Sequence, residues 1–489
     1  HDATISLTAW RNYGREPAAA VLAQGVAVFA NGMRLFASHQ LRVTGNTVRW
    51  TLPAGEEGWT VLADGPCETP RRADLESWRA ATLDRWQKLA RRNGYDGPYK
   101  AEIESSLRQL RLLIHQPTGA VVAAATVGLP EVLGGRRDYD YRYSWLRDTA
   151  MVVRALLRAV EPGHEGEAFL GFVAMARRGA GHRPLDIAMA VDGSPVPAER
   201  NPPLSGYRHS APVRIGNQAG KQLQLGAYGS FLLAAVSVYR ANGERRHWDV
   251  VEEIADFLAA HWHEPDSGVW ENPQRRHYTA SKVFAACGLE AIAPWADAAR
   301  CRRYRGSAQD IRRFVMQRCL RPDNAFASFA GSRGVDVTTA LFPVWSFCPP
   351  DCPQMIASIA ALERDYRQGG LFKRDDRTSQ SRDEGAFLPA TFWIAQYWAT
   401  RGDAERARFY IEAGLRCAND VGLFAEEVCW DTGRALGNLP LGMTHASFIN
   451  AVVDLKECEE RMRRGQCQAA AAPRQEPAVS QIPDRRACT

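Results

Sequence analysis

From about residue 100 to about residue 460 the sequence repeats a helical pattern almost without interruption. Apolar residues recur at helical spacing over 100–114, 146–159, 166–178, 221–241, 247–261, 277–294, 297–318, 336–346, 353–365, 384–400, 403–418 and 442–463. No convincing β-strand separates these runs, about twelve in all. Short loops alternate with long ones, as paired helices require. The pattern predicts a mainly α fold, an (α/α)6 toroid barrel of inner and outer helices, with a generic bundle or an α-solenoid as the alternative. No strong internal repeat supports the solenoid. In a toroid the long loops gather at one end, and loops carry function.

Residues ahead of this region read differently. Segments 3–8, 25–29, 33–38, 47–51 and 59–63 are short and rich in Val, Leu, Phe and Thr, with turn signals at Asn31-Gly32 and Gly45-Asn46. They predict a small N-terminal antiparallel β-domain, sandwich-like, over 1–69. A charged linker helix is expected over 70–97, with Trp78, Leu83, Trp86 and Leu89 on one face. The barrel would occupy 98–463. The Ala/Pro/Gln-rich residues 464–489 carry few large apolar side chains and are expected to form a flexible tail.

Composition excludes some function classes. The net charge of +6 is small for 489 residues, and no basic stripe is interleaved with aromatics, which argues against nucleic acid as a partner. No apolar run is long enough for a membrane span. The first residues lack a basic segment followed by an apolar core, so a cytoplasmic location is expected. The 11 cysteines show no framework spacing. Their close pair, Cys348 and Cys352, has neither a zinc nor a thioredoxin spacing. The others read as small core residues, which suits a reducing compartment.

The most unusual stretch is 134–148, Gly-Gly-Arg-Arg-Asp-Tyr-Asp-Tyr-Arg-Tyr-Ser-Trp-Leu-Arg-Asp. Its aromatics can cover the apolar face of a sugar ring. Its Arg–Asp pairs offer fixed donors and acceptors to hydroxyl groups. A salt-bridged surface loop is the alternative. The segment resembles the hallmark of the family 15 glycoside hydrolases, the glucoamylase-like enzymes, which typically show Gly-Gly-x-Arg-Asn-Trp-Asp-Tyr-Arg-Tyr-x-Trp-Leu-Arg-Asp. It departs at Asp138 and Tyr139, where Asn-Trp is usual. The resemblance implies that Arg147 and Asp148 hold the hydroxyls of a terminal sugar, with Tyr143 and Trp145 also binding substrate.

Two carboxylate segments follow. Asp266-Ser-Gly-Val-Trp-Glu271 places a glutamate beside a tryptophan, and an apolar neighbour raises a carboxyl pKa and keeps the proton on. A solvated loop glutamate is the plainer alternative. The segment resembles the family's general-acid segment, which implies Glu271 as the acid and Trp270 as a substrate contact. The usual Arg-Gly continuation is replaced by Asn272-Pro273. Further on, Glu426 and Glu427 are adjacent, so on an extended segment only one can face a given pocket. The other would be structural or solvated. With Gly437-Asn438, Pro440, Thr444 and His445 they resemble the family's Glu-Glu … Gly-Asn-Phe-Pro-Gln-Ala-Phe-[Thr/Ser]-His. That implies Glu426 as general base, with Glu427 and His445 near the substrate. Leu439, Leu441 and Met443 depart from the usual Phe, Gln and Phe, which implies an altered substrate preference.

Three further segments resemble the family in its own order. They are Thr126–Glu131, the run from Val213 through Gln222, Gln224 and Tyr228, and the run from Arg382 through Glu384 to Phe387. Gln224 and Tyr228, four apart, are expected on one helix face. Arg382 is implied as a sugar ligand, although Asp383 and Glu384 also suit a helix N-terminus by dipole alone. The implied activity is that of an inverting, exo-acting α-glucosidase, glucoamylase- or glucodextranase-like. It would release β-glucose from a disaccharide or oligosaccharide without metal or organic cofactor. A trehalase on the same scaffold and a catalytically inactive carbohydrate-binding protein are the alternatives. Retention of both Glu271 and Glu426 argues against the last. A terpene-cyclase-like barrel would need acidic metal motifs that are not evident.

Overall fold

The computed structural model describes residues 1–160, 164–179, 185–374 and 384–465. Arg382 and nearly all of the tail expected at 464–489 lie outside the described residues. The chain divides into two compact units, His1–Arg92 and Asn93–Thr489.

In the first unit, strands Ala20–Ala23, Val26–Phe29, Met33–Ala37 and Thr60–Asp64 form an antiparallel sheet in that order. Thr47–Leu52 pairs with Ala3–Thr8 on one side and Arg42–Thr44 on the other in a second sheet. Side chains alternate across each strand, so Ala27, Phe29, Leu35, Val48 and Trp50 point inward as a small core. Strands Ala20–Ala23 and Arg42–Thr44 were not expected, because neither carries an alternating apolar pattern. Helix α1, Arg72–Arg91, forms as predicted, but no residue on it is buried and Trp78 and Leu83 are about half exposed.

The second unit is helical. Its helices are α2 (Lys100–Leu112), α3 (Leu146–Ala159), α4 (Glu165–Gly179), α5 (Leu225–Asn242), α6 (Trp248–His261), α7 (Thr279–Ile292), α8 (Ala298–Arg318), α9 (Pro353–Asp365), α10 (Leu388–Arg401), α11 (Ala404–Leu415) and α12 (Gly442–Arg463). Two kinds are distinguished by burial. α5, α7 and α10 are buried nearly all round. By contrast α8 buries only Tyr304, Ala308, Ile311 and Val315, a single stripe at helical spacing. α3 packs on α5 and α12, α5 on α7, and α10 on α12. The α5–α7 crossing is close enough to need glycine on both sides. A Cβ at Gly229 would sit 2.2 Å from the Phe284 carbonyl oxygen, and one at Gly288 would sit 2.6 Å from that of Gly229.

The structure corrects the expected helix at 336–346. Only a 3-10 stretch forms, Val337–Leu341, started by Asp336, whose side chain accepts from the Thr338 N–H at 2.8 Å. Pro343 has no N–H to continue it. Short strands also stand where none were expected. Ser144–Trp145 pairs with Ala188–Met189, and Glu427–Val428 pairs with both Ala386–Phe387 and Ala435–Leu436. Each is two residues long, too short to leave a period-2 pattern. They matter because each holds the chain just before a helix begins. Gln224 and Tyr228 do not share a helix face, because Gln224 is the extended residue that precedes α5. Its amide faces Arg147 and Gln222, whereas the Tyr228 hydroxyl donates to the Leu185 carbonyl at 2.7 Å. Among the described residues no helix is long and apolar enough to cross a membrane.

Candidate active site

A cavity of about 660 Å³ opens where α3, α10 and α12 begin. The segment 139–148 lines one side with Tyr139, Tyr141, Trp145, Arg147 and Asp148. The loop after α6 adds Val269, Trp270 and Glu271, and Arg374, Phe387, Glu426, Leu441 and Met443 are among the other lining residues.

Arg147 and Asp148 stand on the first turn of α3. The Arg147 Nε donates to Asp148 Oδ1 at 2.7 Å, and its Nη1 donates to the Val269 carbonyl at 2.5 Å. Burial works against the Arg147 charge, but Asp148 and Glu271 more than offset it and hold the guanidinium above its ordinary pKa. The pair is therefore a fixed, hydrogen-bonded fork at the cavity wall.

Glu271 is placed by a folded-back loop. The buried Asp266 carboxylate accepts from the Leu225 N–H at 2.8 Å, which ties the loop to the start of α5. The Asn272 N–H then returns to the Ser267 carbonyl at 2.8 Å, and Gln222 donates to the Glu271 carbonyl at 3.1 Å. Glu271 itself takes a left-handed backbone, φ +58°. Its carboxyl lies 3.6 Å from Arg147 Nη2. Burial raises its pKa, Arg147 pulls it back, Asp148 pushes it up, and contact with Trp145 lowers it. The sequence suggested Trp270 as the aromatic influence, yet the tryptophan that acts on the Glu271 carboxyl is Trp145, and it lowers the pKa. Trp270 forms a wall instead. Its indole donates to Asp336 at 2.6 Å, and its ring packs edge-on to Phe387 and stacks on Trp393.

Glu426 reaches the cavity from the opposite segment. Tyr141 donates to its Oε1 at 3.0 Å, and Arg374 Nη1 lies 3.8 Å from the same oxygen. Its Oε2 is buried and has no hydrogen-bond partner among the described residues. Burial, and then the Glu131 charge, push its pKa up, while Arg374 pulls it down. The backbone is fixed by the Leu388 N–H, which donates to the Glu426 carbonyl at 3.0 Å.

Glu427 points the other way, as alternation along a strand demands. It is fully buried, does not line the cavity, and is not solvated. It pairs with Arg374 and accepts from the Gly385 N–H at 3.1 Å. Arg374 is the hub here. It also pairs with Glu384, and with Glu131 at 2.7 Å. Arg137 bridges Glu131 at 2.7 Å and Glu384 at 2.9 Å from the other side. Glu131, Glu384 and Glu427 bring their oxygens within 4.8 Å of one another, close enough to hold a cation. All three bond the Arg374 guanidinium, so this side chain already supplies the positive charge the carboxylates need.

His445 and Tyr143 stand behind the wall rather than on it. His445 is fully buried, and its Nε2 accepts from the Phe424 N–H at 3.2 Å while its Nδ1 meets Ser106 Oγ at 3.0 Å. Burial lowers its pKa to about 3, so it is neutral and serves to position the strand leading into Glu426. The Tyr143 hydroxyl donates to Asp140 at 3.2 Å. Sequence reasoning missed Tyr141, although it lies in the segment singled out, and it missed Arg374, for which no local pattern existed.

Comparison with known proteins accounts for this arrangement. Residues 97–406 match glycosyl hydrolases family 15. The chain belongs to that family. It is 33% identical to a trehalase of Thermoplasma acidophilum over 82% of this chain and 70% of that protein. It is 32% identical to a trehalase of Thermoplasma volcanium over 82% of this chain and 66% of the relative. Among solved structures, a bacterial glucoamylase complexed with acarbose superposes with a TM-score of 0.68 at 15% identity, over 89% of this chain and 76% of that one. That likeness is one of fold, a mainly helical unit accompanied by N-terminal antiparallel sheets.

Proposed function

We propose that this family 15 hydrolase cleaves trehalose with inversion, Glu271 acting as general acid and Glu426 as general base. The observation that carries the mechanism is that two carboxyls from separate loops, both raised by burial, line one cavity beside a fixed Arg147–Asp148 fork. Arg147 and Asp148 bind the hydroxyls of one glucose, and Trp145 and Trp270 wall its ring. Glu271 gives its proton to the glycosidic oxygen as that C–O bond breaks. Glu426 takes a proton from the water whose oxygen bonds to the anomeric carbon from the opposite face. One glucose leaves with its α configuration, and the other is released as β-glucose. The cavity volume lies within the roughly 300–1,000 Å³ of small-molecule pockets. The choice of trehalose over α-glucans rests on the trehalase relatives. It also fits Leu441 and Met443 on the wall, where glucoamylase-like sequences carry a polar Gln and a Phe. The same reading extends to the fold. α3, α10 and α12 all begin at this cavity, which supports their closing with α5 and α7 into the inner ring of an (α/α)6 toroid.

The test is a panel of kcat/KM values on trehalose, maltose, isomaltose, maltotriose and dextran. Trehalose is expected to lead. A lead for maltotriose or dextran would return the chain to the glucoamylase or glucodextranase reading.

The pH profile follows from the two shifts. Turnover needs Glu426 ionised and Glu271 protonated. Because both pKa values are raised, Glu426 gains its charge, and Glu271 loses its proton, at higher pH than an ordinary carboxyl. Both limbs of the kcat/KM bell are expected above the usual carboxylate range of about 4–5. Limbs inside that range would contradict these assignments.

Gly437 offers a second check. It has φ +72°, and a Cβ there would lie 2.8 Å from Glu426 Oε2. Gly437→Ala is expected to lower kcat at least about tenfold by moving the base, with a stability cost of roughly 1–3 kcal/mol for the strained backbone. An unchanged kcat would show that Glu426 does not depend on this contact.

A further inference from the structure

The reaction leaves a second cavity unused. It measures about 480 Å³ and lies where α3, α5, α10 and α12 approach their C-terminal ends, whereas α3, α10 and α12 start at the site just described. Arg154, Arg158, Arg461, Asp454, Glu457 and Ser346 line it. The acids are committed to one cation. Arg158 pairs with Asp454 at 2.6 Å and with Glu457 at 2.8 Å. Arg461 donates to the Ala399 carbonyl at 3.1 Å and makes no ion pair among the described residues. Arg154 lies 4.4 Å above the Trp345 ring. Among the described residues it has neither an ion pair nor a hydrogen bond, and it lines the cavity. An uncompensated, half-buried guanidinium is costly to maintain. Burial and the neighbouring Arg158 accordingly lower its pKa to about 10.

We propose that this cavity binds a small oxyanion of the phosphate class, free or carried on a sugar, with Arg154 as its main ligand and Arg461 and Ser346 alongside. A planar guanidinium fork matches two oxygens of a tetrahedral oxyanion, and the cavity presents cations in excess of its acids. Trp345 fixes the plane of the fork from below. Asp454 and Glu457 are already paired with Arg158. The site is separate from the reaction but mechanically continuous with it. Arg147 and Arg154 are two helical turns apart on one face of α3, about 10.5 Å along the axis. An anion between α3 and α12 would brace the two helices whose first turns shape the catalytic cavity.

Calorimetric titration of the full chain with inorganic phosphate, and separately with glucose 6-phosphate, tests this. Wild type is expected to bind phosphate with a Kd at or below about 1 mM. Arg154→Met, which keeps an apolar stem over Trp345, and Arg461→Gln should each weaken binding at least about tenfold. Glu271→Gln should bind as wild type does. Tighter binding of glucose 6-phosphate would identify the ligand as a sugar phosphate, and preference for inorganic phosphate would identify the free anion. No binding by wild type would overturn the proposal. So would unchanged binding by both arginine variants, or loss of binding in Glu271→Gln, which would place the anion in the catalytic cavity. If Arg154→Met fails to fold, the Arg461→Gln and wild-type arms still decide.

Discussion

Glu271→Gln is expected to lower kcat on trehalose by roughly 10²–10⁴-fold, and yet to leave hydrolysis of α-glucosyl fluoride nearly intact. Fluoride leaves without being protonated, so a missing general acid costs it little. Glu426→Gln should lose activity on both substrates, because each needs an activated water. The split between substrates separates the two roles, where a simple loss of activity would not. It follows from the surroundings of each carboxyl. Glu271 sits 3.6 Å from Arg147 beside Asp148, on the wall that would hold the sugar. Glu426 lines the cavity from the opposite segment, with its Oε1 held by the Tyr141 hydroxyl. Glutamine preserves the volume in both cases, so packing around the cavity should survive. Equal losses on both substrates for both variants would refute the assignment.

Arg374→Met is expected to have the largest effect on stability, about 3–5 kcal/mol, since it breaks a buried ion cluster by removing one partner. Glu131, Glu384 and Glu427 would lose a shared cation that no water can replace. The pH dependence has a definite sign. Burial already holds the Glu427 pKa well above its ordinary value, with Arg374 opposing that rise. Without the guanidinium the folded state would hold its protons to still higher pH than the unfolded chain does. Stability of the variant should therefore fall as pH rises above the ordinary carboxylate range, and the difference from wild type should shrink below it. Thermal unfolding at several pH values measures this. Arg374→Lys keeps the charge but loses the bidentate geometry, and is expected to fall between the two. Indifference of Tm to Arg374→Met would mean that the three carboxyls are held by something other than this side chain.

Much of the site was legible because its chemistry is concentrated in short segments. Arg147 and Asp148 stand together at the start of a strongly apolar helix, and both carboxylates lie in segments that resemble family motifs. The alternation argument for Glu426 and Glu427 held, because strand pairing with Ala386–Phe387 keeps that backbone extended. It did not reveal that Glu427 would be buried on an ion cluster. Arg374 was invisible for a physical reason. It lies between charged neighbours in what reads as a polar loop, and Glu131, one of its partners, is 243 residues away. His445 and Tyr143 were placed nearer the substrate than they are. Sequence indicates that a residue belongs to the site, but not whether it lines the cavity or supports a residue that does. The helices were readable from apolar spacing, and the exception at 336–346 turns on Pro343. Two-residue strands left no period to read, although they set the direction of the chain into α3 and α10.

The most direct test of the account is a first-turnover NMR measurement of trehalose hydrolysis in ¹⁸O-labelled water. Inversion by Glu271 and Glu426 predicts equal amounts of α- and β-glucose before mutarotation, with the label confined to the β anomer. Label in α-glucose, or two equivalents of the α anomer, would mean retention, and would contradict the proposed acid–base pair.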